Sequence, residues 1–382
     1  MPALTSRGVL RRLHRDERGA VATIVALLLA MGVLLGMMAL VIDVGQLYAE
    51  REELQSGADA AAIAVTQECV RDDSPAGCSG TDMMVLARTL GNLNARDGRT
   101  NILEVCGTLG ALDACGDPIG NLTDCIPATP TDGRPYVEVR TGTEMRDGDF
   151  VFPPTFAQAL AGNGAYEGTS VRACARATIG TPGEALGVTF SQCEWTWATN
   201  NGAALPPGPQ FVSGSHKEIV LKLHDSKGPP PPGCPAAPGP NADAPGGFGF
   251  LDRIDCQIEL DSGTYPMDDP GNDPGVCLDL LDDATTAPVP QVLFIPIYQS
   301  VKSQGQNTEY TLDKVAAFVP TGYFFGAGNG KHKSSWLPGS TITQCNGQER
   351  CIYGYFVDVV VPGELGSGDV TSLGATVIAL SG

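Results

Sequence analysis

Between Gly19 and Ile42 the chain carries no charged residue, in the run GAVATIVALLLAMGVLLGMMALVI. Wound as a helix at about 1.5 Å per residue, this run would reach roughly 36 Å, enough to cross a hydrocarbon core of about 30 Å. The apolar part of a secretory signal is shorter, about 7 to 15 residues, so the pattern predicts a transmembrane helix over 19–42. Past it, Val44, Leu47, Tyr48, Leu54, Ala58, Ala61, Ala62 and Val65 recur mostly at three- and four-residue steps, while Gln46, Glu50, Glu53 and Asp59 fill much of the rest. No proline or turn cluster separates the two patterns. One helix is therefore expected to continue out of the apolar run through a juxtamembrane stretch, 43–68, with an alanine-rich face suited to close packing.

After the turn-rich CVRDDSPAGCSG, the segment TDMMVLARTLGNLNARDG predicts a helix capped by Thr81 or Asp82 and ended near Gly98. RPYVEVRTGTEM and TSVRACARATIG alternate like strands on either side of PPTFAQALA, a short helix with proline at its start. These elements predict a small α+β, pilin-like subdomain over 69–182, bounded by TPGEALG. Beyond it, HKEIVLKLH, VLFIPIYQSV, AAFVPTGYFF, CIYGYFVDVVV and GATVIALSG read as strands, several of them continuously apolar and hence buried on both faces. They are interrupted by KGPPPPGCPAAPGPNADAPGG, a polyproline-prone loop. With no helix of useful length in sight, 183–382 is expected to be a mainly β domain, sandwich or barrel. The expected fold class is thus an α+β membrane protein: leader 1–18, span 19–42, juxtamembrane helix 43–68, then the two extracytoplasmic domains.

Charge orients this scheme. Residues 1–42 hold Arg7, Arg11, Arg12, Arg15 and Arg18 against Asp16 and Glu17, a net +3 beside a chain total of −19. Basic residues before the span and acidic ones after it place the N-terminus in the cytoplasm and the body outside the cell membrane. The acidic body repels phosphate backbones, which excludes nucleic acid as a partner. All twelve cysteines follow the span, as an oxidising compartment allows. Six fall between Cys69 and Cys174 and six between Cys193 and Cys351, so each domain can close three disulfides of its own. Sequence does not fix the connectivity, and the closely spaced pairs Cys69 with Cys78 and Cys345 with Cys351 are the first candidates.

Gly32 and Gly36 form a GxxxG pair, which serves either a plain anchor or close helix packing with another copy. Around it, the run from Glu17 to Ala64 resembles the N-terminal module of Flp pilus-assembly TadE/TadG-like proteins. The resemblance rests on Asp43 and Gly45 at the exit of the apolar run, then an aromatic residue followed by Arg51, Leu54 and Gln55, and the ADAAA stretch that includes Asp59. NARDG, GGFGFLD and GYFVDVVV in the body look similar to actinobacterial-type members. The resemblance implies a membrane-anchored structural or accessory component of a tight-adherence, type IVc pilus, with other pilus-assembly or pilin-like membrane proteins as partners. Cleavage after Gly19 would put Ile24 where type IV prepilins carry a glutamate, which points to a permanent anchor over a processed pilin. A surface adhesion or ligand-binding protein is the alternative.

Catalytic and metal-binding patterns are sparse. His216 and His224 lie too far apart for one zinc ion, and no CxxC or HExxH occurs. Asp268, Asp269 and Asp273 are calcium-type ligands, but they lack EF-hand spacing and sit among prolines. Asp225 and Ser226 are adjacent, unlike the DxSxS of metal-dependent adhesion sites. With neither a GxSxG elbow nor a Walker loop, the sequence predicts no enzyme and no cofactor.

Overall fold

The computed structural model describes residues 7–71, 78–116, 125, 133–156, 167–203, 205–222, 233–234, 239–240, 248–252, 255–266, 274–302, 308–328 and 330–381, with side chains from 19 onward except 34, 35, 239, 240 and 248. Asp268, Asp269 and Asp273, His224, Asp225 with Ser226, most of the polyproline loop and residues 157–161 of the expected PPTFAQALA helix lie outside the described residues, and 153–156 are not helical.

The chain begins with α1 (Arg7–Ala30) and α2 (Val33–Arg71), and here the expected fold class needs correcting. The apolar run is divided at Met31 and Gly32. Gly32 adopts φ +72°, and its N–H bonds back to the Leu29 carbonyl at 3.0 Å, closing α1 with a left-handed glycine. The Gly36 N–H then bonds to the Gly32 carbonyl at 2.8 Å, opening α2. Neither piece of the run alone covers the roughly 30 Å of a bilayer core. Among the described residues no helix is long and apolar enough to cross a membrane. The fold is a mixed α/β one, with large sheets and six disulfides.

Next come α3 (Gly80–Asn94), β1 (Asn101–Gly107), β2 (Tyr136–Gly142) and β3 (Arg172–Gly180). The Oγ of Ser79 accepts the Asp82 N–H, so α3 starts slightly ahead of the expected Thr81 or Asp82 cap. The three strands form an antiparallel ladder completed by two from the far end of the chain, β15 (Val359–Pro362) and β17 (Ala375–Leu380), in the order β1-β2-β3-β17-β15. CIYGYFVDVVV is therefore not one strand. It divides at Asp358 between β14 (Cys351–Val357) in the second sheet and β15 in the first.

The second sheet is built on β5 (Val188–Ser191), β6 (Ile219–Lys222), β8 (Phe248–Phe250), β11 (Leu293–Lys302) and β12 (Glu309–Phe324) together with β14, in the order β6-β14-β12-β11-β5-β8. Short strands flank it, β7 (Gly239–Pro240) on β11 and β10 (Gly263–Pro266), β13 (His332–Lys333) and β16 (Thr371–Leu373) on β12, and β4 (Glu184–Leu186) pairs separately with β9 (Gln257–Glu259). Two helices that the sequence did not announce lie here, α4 (Gln192–Thr199) and α5 (Cys277–Thr286). A signal for α4 was present in SQCE, a capping box in which the Ser191 Oγ accepts the Glu194 N–H at 3.0 Å. In α5, Cys277, Leu281, Ala284 and Thr285 are buried at helical spacing. The disulfides are Cys69–Cys78, Cys106–Cys115 and Cys125–Cys174 in the first half, and Cys193–Cys234, Cys256–Cys277 and Cys345–Cys351 in the second.

All seven residues of β2 are buried, for two different reasons. Val137 and Val139, with Ala175 and Ala177 of β3, pack in the core shared with α2 and α3. The alternate face carries Tyr136, Glu138 and Arg140 beside Arg176. There Glu138, which is fully buried, takes the Arg140 Nε at 2.8 Å on one oxygen and the Arg176 Nη2 at 2.7 Å on the other. Arg140 continues to Glu104 at 2.7 Å, and Arg176 lies over the Tyr136 ring at 5.2 Å from its centroid. Buried charges survive in this way when each is paired and hydrogen-bonded.

Candidate functional site

The second half of α2 is held in the fold by small residues. Ala58, Ala61, Ala62 and Val65 have no exposed surface and join Met83 and Ala87 of α3 in the core. The helices approach closely at Gly57, where an added Cβ would lie 3.1 Å from the Gly91 Cα. Leu54 is buried, and its carbonyl accepts the Thr141 hydroxyl at 3.1 Å. The Gln55 amide donates to Asp59 at 2.8 Å and to the Cys174 carbonyl at 2.9 Å, tying α2 to β3. Glu53 accepts the Arg96 N–H at 2.8 Å beyond the end of α3. Arg51 is exposed, as is Gly45, around whose added Cβ the space is open.

Asp43 marks the change of environment along α2. It is only 7% exposed, and its carboxylate accepts the Thr155 N–H at 2.9 Å and the Phe156 N–H at 3.0 and 3.1 Å. The Thr155 hydroxyl donates to Gln46 at 2.7 Å. Two residues one helical turn apart thus fasten a loop more than a hundred positions away. Sequence reading singled out Asp43 without a partner, because nothing in the pattern around Thr155 identifies a turn that needs an acceptor.

Towards the N-terminus from Asp43 the environment reverses. Met37, Met38 and Val41 are 64%, 62% and 70% exposed, and Val21, Ile24, Leu27, Met31 and Leu40 are more than half exposed. Gly32 and Gly36 sit within this region, with Gly32 at the break between helices, so they do not share one continuous helix face. The bare apolar band and the buried alanine face therefore belong to adjacent stretches of one segment. Monomeric soluble proteins rarely leave so large a contiguous apolar surface uncovered.

Glu50, between these regions, has its pKa raised by burial, with the Thr143 hydroxyl opposing and the nearby Glu53 and Asp97 adding to the rise. Protonation therefore favours the folded state: the stabilisation from this group is complete below its ordinary value of 4.5 and is lost as the pH climbs through the raised folded value. Glu50→Gln should be more stable than the parent at pH 7, with the two converging as the pH falls to about 4.5, which urea titrations across that range would measure.

Elsewhere, His216 is buried, its Nδ1 accepts the Val212 N–H at 2.9 Å, and burial lowers its pKa. Among the described residues, the two groups with metal-like clustering both pair Glu138 with disulfide sulfurs, which offer no thiolate. Compared with known proteins, residues 19–68 match the family model for Flp pilus-assembly TadE/G-like proteins. No curated protein and no solved structure matches the chain. The match ends just before Cys69, so it spans both the bare apolar band and the buried half of α2.

Proposed function

We propose that this chain, whose residues 19–68 are a TadE/G-like module that associates it with Flp pilus assembly and the cell envelope, is a structural component of that assembly. Its apolar band packs against a helix of another pilin-like or pilus-assembly protein, and its role is not enzymatic. One observation carries this reading: a single helical module buries its small-residue face in its own fold from Leu54 onward, while most large apolar side chains before Asp43 are left bare. A bare apolar surface gains about 25 cal/mol for each Å² that a partner covers. Six disulfides support placing the body in an oxidising, extracytoplasmic compartment.

The test is photocrosslinking in cells from a benzoyl-phenylalanine placed at Met38, with mass spectrometry of the adduct. The expected product joins this chain to another pilus-assembly protein. Met38→Glu with Val41→Glu should cut association at least tenfold, about 1.4 kcal/mol or more, while leaving unfolding of the body unchanged. Association that survives both substitutions would rule the proposal out.

A further inference from the structure

We infer that residues 205–216 form a proton-sensitive latch: neutral His216 holds this strap closed on the second sheet, and protonation of its imidazole releases it. The inference does not depend on the apolar band or on the assembly reading. The strap precedes β6 and is bonded to Asp358, where the chain passes from β14 to β15. The Asp358 N–H donates to the Pro206 carbonyl at 2.9 Å, the Gly208 N–H to the Asp358 carbonyl at 2.8 Å, and the Tyr355 hydroxyl to the Pro209 carbonyl at 2.7 Å. Phe211 packs against the apolar cluster that contains Tyr355, Val357 and Val359.

The far end of the strap is fastened by His216 itself. It is 6% exposed, with the Phe211 ring stacked on it at 5.6 Å between centroids and the Tyr355 ring edge-on at 4.9 Å. Its Nδ1 accepts the Val212 N–H at 2.9 Å, while the Val212 carbonyl accepts the Ser215 N–H at 3.1 Å and the His216 N–H at 3.0 Å. A neutral imidazole that accepts at Nδ1 carries its proton on Nε2, so the next proton must settle on Nδ1, where it meets a donor. The bond to Val212 is then lost, and a charge is left among aromatic rings. The charged and titratable groups around it are already engaged. Glu218 accepts the Thr321 and Ser335 hydroxyls on one oxygen and the Ser340 hydroxyl on the other, and Lys217 holds its ammonium over the Trp197 ring. Asp358 holds the strap through its backbone, and Tyr355 is kept protonated by burial and by Glu218. Burial moves the His216 pKa down, against the opposing Val212 and Gly208 backbone. The stabilisation from His216 is therefore complete above its ordinary value of 6.5 and is lost as the pH falls through the lowered folded value, the opposite sense to Glu50.

The test is hydrogen exchange of the full chain, read by mass spectrometry from about pH 7.5 to about pH 4.5, with each rate divided by the intrinsic rate at that pH. Protection of the amides of 208–216, Val212 included, should fall about threefold or more with a midpoint below 6.5, while the β11–β12 ladder keeps its protection. His216→Asn offers an acceptor that does not titrate and should keep the strap closed at every pH. His216→Phe keeps an aromatic ring without the acceptor and should leave it open at every pH. Histidine NMR on the unaltered chain needs no substitution: the His216 imidazole should titrate below 6.5, in step with the Val212 amide. Strap protection that stays constant with pH, a pH response that persists in either variant, a His216 midpoint at or above 6.5, or equal loss in the β11–β12 ladder would each overturn the inference.

Discussion

Glu138→Ala is expected to destabilise the first sheet by about 3 to 5 kcal/mol, because it leaves two buried guanidinium groups without their shared counter-ion. Arg176 is 1% exposed and Arg140 6%, and both point at a carboxylate that is itself fully buried. Water cannot take its place there, so the penalty is the desolvation of unpaired charge more than the loss of one attraction. The network also predicts a strong non-additivity. Replacing the set together, Glu138→Leu with Arg140→Met and Arg176→Met, should cost far less than the single change, since a well-packed apolar group owes no desolvation. Urea denaturation of the two variants measures both, and a single-variant cost below about 1 kcal/mol would show that the triad is solvated in solution.

Leu54→Ala should cost about 2 to 5 kcal/mol, from lost burial and the cavity it leaves. Leu54 is 1% exposed on the stretch of α2 that lies across β2 and β3, and its own carbonyl is engaged by Thr141. Leu54→Met, which keeps the volume, should cost less than about 1.5 kcal/mol. Hydrogen exchange localises the effect: protection should fall along α2 from Asp43 to Arg71 and in β2 and β3, while the β11–β12 ladder keeps its protection. Loss spread evenly through both sheets would mean that α2 is not a separate cooperative element.

Much of α2 was legible. The spacing of Leu54, Ala58, Ala61, Ala62 and Val65 named the residues that the structure buries, because helical periodicity encodes which face must leave water. The strands behind β2, β3, β11 and β17 announced themselves through alternation or apolar runs. The break at Gly32 was not legible. Its neighbours are as apolar as the rest of the run, and glycine visits left- and right-handed conformations with similar ease, so pattern alone gives no reason to stop the helix there.

Sequence by itself determined the helical face of α2, the locations of most strands, the acidity of the body and the likeness of residues 19–68 to a pilus-assembly module. Those are properties of neighbouring positions, fixed by local periodicity and composition. Only the tertiary structure decided that β15 and β17 return to the first sheet, that Glu138 meets Arg176, that Asp43 caps the turn at Thr155, and which cysteines pair. Those are choices among distant partners of equal local fitness. The fold settles them by an arrangement that packs β2 and β3 against α2 and α3 while giving the buried Glu138, Arg140 and Arg176 answering groups.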